Sequence, residues 1–373
     1  MPQNSDVPSP ALMRASPIAL GFRPCGFAPQ HRPVRVVAVI PGDGQGSSFI
    51  FARRQVQSLQ EAGSIEIKTF LFDTGKSLSI YLRNCHLLRR AIRSSNPDIV
   101  HAHYGTMTAL ACALVSSKPL LITFQGSDLN PEPGYSWLRT RSGLICSHLA
   151  AIRARQVICV SRQLAATLWW CRRGITIIPS GINLQEFVAI DRVDARRRLG
   201  WDLHEPVVLF NAGRAPIVKG LALAENVIER VRLRRQIRFE VMRGDVSPEK
   251  VPVLMSAADC LLVTSLSEGS PTVVREALAC SLPVISVDVG DVRERLRGVH
   301  PSWVVSRNPE EISAVVLAIL EQPVRSNGRA AAEATSHSNI ARQILQLYYS
   351  MLNLQAEETL TVVEASRVEV AER

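Results

Sequence analysis

Residues 258–292 read ADCLLVTSLSEGSPTVVREALACSLPVISVDVGDV. The apolar run CLLVTS is followed by a Glu-Gly-Ser-Pro turn, a helically spaced segment, TVVREALAC, and a second apolar run, LPVISV. That order predicts strand, turn, helix, strand. Open parallel sheets bind ligands outside the carboxyl ends of their strands. Backbone N–H groups at the start of the following helix can meet the oxygens of a sugar or phosphate. Two carboxylates flank the turn: Glu268 at its head and Glu276 one to two turns into the helix. A pair of acids separated in this way suits a ligand with two polyol parts, such as a nucleotide sugar.

The same alternation extends in both directions. Upstream, RVVAVIP (35–41), IEIKTFLF, DIVHAHY (98–104), LLITFQG (120–126), QVICVS (156–161) and ITIIPSGI (175–182) are short Val/Ile-rich strands separated by helical pattern. The helices include 48–63 and 77–93, the latter carrying Arg83, Arg89, Arg90 and Arg93. Residues 188–205 read as a charged, loop-like break. Strands then return at 207–214, 237–244, 260–265, 282–287 and 303–306, with helices at 219–233, 250–258, 272–280, 309–321 and 338–352. Strands apolar throughout and alternating with helices predict parallel, doubly wound sheets. The expected organisation is a poorly ordered extension over 1–33, an α/β domain over 34–187, a second over 188–353, and a frayed acidic tail over 354–373. The last helix, 338–353, is a candidate to pack back onto the first domain. Two such halves would face one another across a cleft, each holding one substrate.

At 373 residues and 46% hydrophobic, the chain is long enough for two sizeable cores. Its charge of +10 is uneven: residues 1–190 carry 20 Lys+Arg against 9 Asp+Glu, and the remainder 23 against 24. A basic first half calls for an anionic partner. No aromatic-basic motif or helix-turn-helix pattern accompanies the charge, so nucleic acid is not the expected one. The eight cysteines form no C-x-x-C pair and read as buried free thiols in a reducing cytoplasm. There is no signal-peptide core and no stretch approaching ~20 apolar residues, so a cytoplasmic protein is expected, at most peripheral on the inner membrane face.

Four segments together carry a family resemblance. Glu268 and Glu276 form a Glu-x7-Glu box; NAGRAPIVKG (211–220) matches G-R-x-x-x-x-K-G; IPSGINLQEF (178–187) matches a linker motif; and GDVSPEKVPVLMSAADC (244–260) matches the approach to the box. The chain thereby resembles the family 4 retaining glycosyltransferases of the GT-B fold, two Rossmann-like doubly wound domains facing across a cleft. The match is strong over about 175–350; over 35–175 only DIVHAHYG and LLITFQGSDL look familiar.

The resemblance implies transfer of a sugar from a nucleotide-diphosphate sugar to a hydroxyl of a glycan or lipid-linked acceptor, with retention of configuration and without a metal. It implies that Arg214 and Lys219 hold the donor pyrophosphate, that Glu268 contacts the donor sugar and that Glu276 holds the ribose hydroxyls. Gly213 and the Gly269, Ser270 and Pro271 turn would help seat the donor. Two fixed cations would stabilise the charge accumulating on a departing diphosphate. Gly44 and Gly46, in the loop PGDGQGSS, and His103, Gln125 and Asp128 are candidates for the sugar or acceptor side. No Asp-x-Asp pair is present, and no cofactor is expected beyond the nucleotide sugar as co-substrate.

Several readings stay open at this stage. Gln125 stands where family members often carry His; it can donate a hydrogen bond but cannot carry a charge. A weakened or inactive scaffold is therefore one alternative, and a nucleotide-sugar epimerase of the same fold another. His101 and His103 could be structural or substrate-facing, and Asp128 could simply cap a helix. The arginines of 83–93 could be a solvated face or an interfacial membrane contact. Exopolysaccharide, capsule or lipopolysaccharide assembly is the expected setting.

Overall fold

The computed structural model describes residues 32–42, 49–63, 65–73, 77–130, 136–168 and 174–354. The expectations for 1–31 and 355–373, and those for Gly44 and Gly46, lie outside the described residues.

Eleven strands are found among the described residues: β1 (Val34–Pro41), β2 (Ile65–Phe72), β3 (Ile99–Ala102), β4 (Leu120–Phe124), β5 (Gln156–Cys159), β6 (Ile175–Ile177), β7 (Val207–Asn211), β8 (Arg238–Met242), β9 (Cys260–Val263), β10 (Val284–Val287) and β11 (Trp303–Val305). Between them run α1 (Ile50–Glu61), α2 (Leu78–Ser95), α3 (Thr106–Val115), α4 (Trp137–Arg153), α5 (Arg162–Ala166), α6 (Arg192–Leu199), α7 (Pro216–Lys219), α8 (Leu221–Arg232), α9 (Val251–Ala257), α10 (Thr272–Ala279) and α11 (Val292–Arg295). Three more, α12 (Pro309–Glu321), α13 (Gly328–Glu333) and α14 (His337–Met351), close the described chain.

The strands form two sheets with every neighbour parallel, ordered β2-β1-β3-β4-β5-β6 and β11-β10-β9-β7-β8. β1, β3, β4, β9 and β10 are almost wholly buried, as strands covered on both faces must be. Each sheet reverses direction once, between β1 and β3 in the first and between β7 and β9 in the second. These are the switch points where the loops at the strands' carboxyl ends diverge and leave a crevice.

Right-handed crossovers put α2, α3 and α4 on one face of the first sheet, because all three connections step the same way. α1 lies on the other face and packs against α14. Ile340, Ile344 and Tyr348 of α14 share a core with Val34, Val36, Ile99 and Leu121 of the first sheet, so the chain end returns to the half where it began. Inside that core the Tyr348 hydroxyl is 2.7 Å from His101 Nδ1, and His101 Nε2 is 2.7 Å from Thr123 Oγ1. The crossing back is stitched by Ile182 N–H to Thr335 O and His337 N–H to Ile182 O, both 2.9 Å.

One expectation is corrected. Residues 188–205 are not merely a loop: α6 lies within them, capped by Asp191 Oδ1 accepting from Val193 and Asp194 N–H, and ended by Gly200 at φ 67°. Its sequence, RVDARRRL, has no apolar stripe to announce it. The helix is instead anchored by Arg196, 1% exposed, which donates to Asp259, Ala257 O and Leu203 O. A buried guanidinium with all these acceptors replaces the usual apolar anchor.

Candidate functional site

The candidate site lies at the carboxyl ends of β7 and β9, the switch point of the second sheet. Lys219 ends α7 just beyond β7, and Glu268 follows β9. Lys219 Nζ and Glu268 Oε1 are 2.5 Å apart, with 25% and 13% of their side chains exposed. Glu268 Oε1 also accepts from Ser265 Oγ at 2.9 Å. The carboxylate is thus fixed from two sides, and it holds the ammonium at the mouth of the crevice.

Backbone packing sets this geometry. Gly220 adopts φ +72°, and a Cβ there would fall 2.1 Å from Thr264 O. Only glycine allows that approach. Thr264 Oγ1 donates to Gly220 O at 2.8 Å, and Leu266 N–H to Val218 O at 2.8 Å, so the two loops run as one unit. Arg307 braces the same segment through Thr264 O (3.0 Å) and Ser265 O (2.8 Å). Arg214 is exposed beyond the end of β7, beside Gly244, and forms no ion pair among the described residues. The adjoining Gly213 has φ 50°, and its N–H reaches Asn211 Oδ1 at 3.1 Å.

The turn between the two box carboxylates touches the other sheet. A Cβ on Gly269 would lie 1.9 Å from Gln125 O and 2.9 Å from Gly126 Cα. The peptide after β4 and the peptide after β9 are therefore in direct backbone contact across the crevice. Pro271 is buried behind the turn, and Gly290 abuts Gly269 O. Ser270 Oγ donates to Asp291 Oδ2 at 2.8 Å and also meets Arg275, whose other amino group reaches Ser270 O at 3.1 Å. Arg275 is fully buried. Burial lowers its pKa, while Asp291 beside it opposes the change. The Ser270 hydroxyl is thus engaged with the protein, the expected donor contact being the backbone of the turn, and Arg275 locks the turn from beneath.

Glu276 is half-buried and lines a cavity of about 190 Å³ with Arg54, Gln125, Ser180, Thr272 and His337 among its walls. Burial pushes its carboxyl up to about 7; the positive charges of Arg275, Arg54 and Lys219 pull the other way, and Glu186 pushes further up. Arg54 is itself paired with Glu186 at 3.2 Å. Gln125 also faces the cavity, its Oε1 accepting from Ser180 Oγ at 3.3 Å.

Two expected residues lie elsewhere. His103 is fully buried, stacked at 3.9 Å on His101, with Nδ1 3.1 Å from Gln55 Oε1. Desolvation lowers its pKa to about 3, so it is a neutral interior ring rather than a crevice wall. Asp128 is likewise buried beneath the turn, where it accepts from Gly105 N–H (2.9 Å), Gln125 N–H (3.0 Å) and Gly126 N–H (2.8 Å). Burial raises it to about 6 against the pull of those amides. It clamps the loop that presents Gln125 and does not itself reach outward.

Sequence reasoning missed Arg275, Asp291 and Arg307. Arg275 left a trace: an arginine within the apolar face of VVREALA, where a charge must find buried partners. Asp291 and Arg307 left none, being distant in sequence from what they hold. Among the described residues no group of three or more His, Cys, Asp or Glu is placed to hold a metal ion.

Two family models match the chain: Glycosyltransferase Family 4 over residues 34–186 and Glycosyl transferases group 1 over 203–337. The chain belongs to the family 4 glycosyltransferases. Among its relatives is TuaC of Bacillus subtilis, provisionally named a teichuronic acid biosynthesis glycosyltransferase, 30% identical over 61% of this chain and 61% of its own length. A D-inositol 3-phosphate glycosyltransferase of Geodermatophilus obscurus is 27% identical over 60% of this chain and 59% of its own. The matches thus span about three fifths of these relatives. Among solved structures, a sucrose-phosphate synthase from Thermosynechococcus elongatus superposes with TM-score 0.73 at 20% identity, covering 86% of this chain and 99% of its own. Anabaena HepE in complex with UDP and glucose gives 0.65 at 17%, covering 84% and 99%. These likenesses establish the GT-B fold, two Rossmann-like halves of parallel sheet and helix.

Proposed function

We propose that this protein is a glycosyltransferase moving a sugar from a nucleotide-diphosphate sugar to a hydroxyl of a glycan or lipid-linked acceptor, with retention and without a metal. The observation that carries the reading is the Lys219–Glu268 pair at the β7/β9 switch point, with Arg214 exposed on the adjoining loop. Lys219 and Arg214 would take the diphosphate oxygens and stabilise the charge that builds as the sugar–oxygen bond breaks. Glu268 would exchange part of its hold on Lys219 for hydroxyls of the sugar. Glu276, as a carboxylate, would accept from the ribose hydroxyls.

Attack would come from the face the diphosphate leaves, through an oxocarbenium-like state. A departing phosphate oxygen would take the acceptor's proton, so no side-chain nucleophile is required. HepE has been solved with UDP and with UDP-glucose, which supports a nucleotide sugar as the donor class. The teichuronic acid biosynthesis relative supports polysaccharide assembly as the setting; a peripheral place on the inner membrane face belongs to the same reading and rests on the basic first half of the sequence. Among the described residues no helix is long and apolar enough to cross a membrane.

The test is a calorimetric screen of UDP-, GDP-, ADP- and dTDP-sugars without added metal. One donor should bind selectively, and Arg214→Ala and Glu276→Ala should each weaken it. Turnover of that donor, lost in Glu268→Ala, would reject the inactive-scaffold alternative. A folded protein that binds none of the donors would overturn the proposal.

A further inference from the structure

In the helical layer over the first sheet, α4 is built with its large apolar side chains outward. In α4 the buried residues are small: Ser147, Ala150 and Ala151 face α3. At 100° per residue, Leu138, Ile145, Leu149 and Ile152 fall within about 60° of arc on the opposite side. They are 72%, 58%, 51% and 64% exposed. A surface helix normally turns such a stripe toward the core. Contiguous exposed apolar surface of this kind marks an interaction site. The stripe is bordered by Arg141 on one side and Arg153 on the other, and the Arg141 guanidinium lies 4.5 Å from the centre of the Trp137 ring. On α2, in the same layer, Leu78 and Leu82 are 71% and 57% exposed and share their face with Arg89 and Arg93. α2, α3 and α4 contain no aspartate or glutamate at all.

From this we propose that the outer face of α4, with that of α2 on the far side of α3, docks on an anionic lipid bilayer. The apolar stripe would enter the headgroup–acyl boundary while the arginines meet lipid phosphates. Charge selects the occupant: a second copy of this chain would set arginines against arginines with no acid on the face to answer them. The orientation also serves the crevice. A helix after a parallel strand starts at that strand's carboxyl end, so Trp137 and Leu138 lie toward the end where Gln125 and Gly269 meet. A lipid-linked acceptor would then present its head group near the crevice while its chain stays in the membrane. This part rests on the glycosyl-transfer reading; the docking itself does not.

The experiment is vesicle flotation of the full chain with phosphatidylcholine alone and with phosphatidylcholine mixed with phosphatidylglycerol, followed by Trp fluorescence with brominated lipid. Binding should require the anionic lipid. The double variant Ile145→Glu, Leu149→Glu should weaken it by at least about tenfold, and Arg141→Glu, Arg153→Glu should weaken it while leaving the apolar stripe intact. Both pairs are exposed, so circular dichroism should be unchanged; if the first pair does not fold, the second carries the test. Absence of binding to anionic vesicles, or binding untouched by both variants, overturns the proposal. So does a dimer in lipid-free solution that dissolves in the Ile145→Glu, Leu149→Glu variant. Donor affinity is measured in parallel on the same proteins: vesicle binding without donor binding would sink the transferase reading alone, and the converse the docking alone.

Discussion

Gly269→Ala adds one carbon at the point where the two sheets touch. Its Cβ would sit 1.9 Å from Gln125 O, 2.7 Å from Gln125 C and 2.9 Å from Gly126 Cα, all backbone atoms that cannot swing aside. Ordinary contact begins near 3.4 Å, so the two loops must part by about 1.5 Å. Gly269 is not in the left-handed region, so alanine carries no backbone penalty there and the whole effect is steric. Overpacking of this kind costs about 1–3 kcal/mol, to be read by urea denaturation. Displacement on the scale of 1 Å at a reacting centre costs about 100-fold in rate, to be read as turnover of the donor found by calorimetry. Gly200→Ala is the control: φ is +67° with nothing within 4 Å, so it strains the backbone at the end of α6 and should leave turnover alone. A Gly269→Ala protein with wild-type stability and turnover would refute the backbone contact and the crevice geometry built on it.

Lys219→Ala should lower kcat by about 10²–10³-fold, the usual effect of removing one preorganised partner of a developing anion, with a smaller change in donor KM; equal loss in both would point to uniform binding. Glu276, raised by burial to about 7, should accept from ribose hydroxyls more strongly as a carboxylate than as an acid, so donor affinity should fall as pH drops below that value and Glu276→Gln should flatten the profile. For stability the sign is opposite: the folded state binds the Glu276 proton more tightly than the unfolded one, so this group's contribution is full below about 4.5 and declines as pH rises to about 7, a slope that Glu276→Gln should remove in denaturation at stepped pH. Asp128→Ala leaves three amides without their acceptor, two of them buried, and should cost several kcal/mol, on the order of 1–3 for each buried unmet group, whereas Asp128→Asn, which keeps one acceptor, should cost less by the same denaturation measurement.

Much of the architecture was legible locally. Short Val/Ile runs buried on both faces announce parallel strands wherever they occur, and α12 begins and ends where its helical pattern does, at 309 and 321. The box and the Arg/Lys motif were legible as candidates too, because a strand-end loop with glycine, acid and base sets out its polar groups in a few consecutive residues. α6 was not: its anchor is one buried arginine meeting an acid 63 positions away, and no periodicity reports that.

By itself, then, the sequence determined two α/β halves, the candidate site loops, and the residues on them. Tertiary structure alone decided which of those residues face the crevice. It turned His103 and Asp128 inward, engaged Ser270 with Asp291, set Lys219 against Glu268 across 49 positions, and brought Gly269 onto Gln125 from the other sheet. It also turned the large side chains of α4 outward, a choice that α3 makes by accepting only small ones. The physical reason is the same in each case. Periodicity and turn chemistry act within a few residues, whereas burial and pairing depend on which distant backbone arrives alongside.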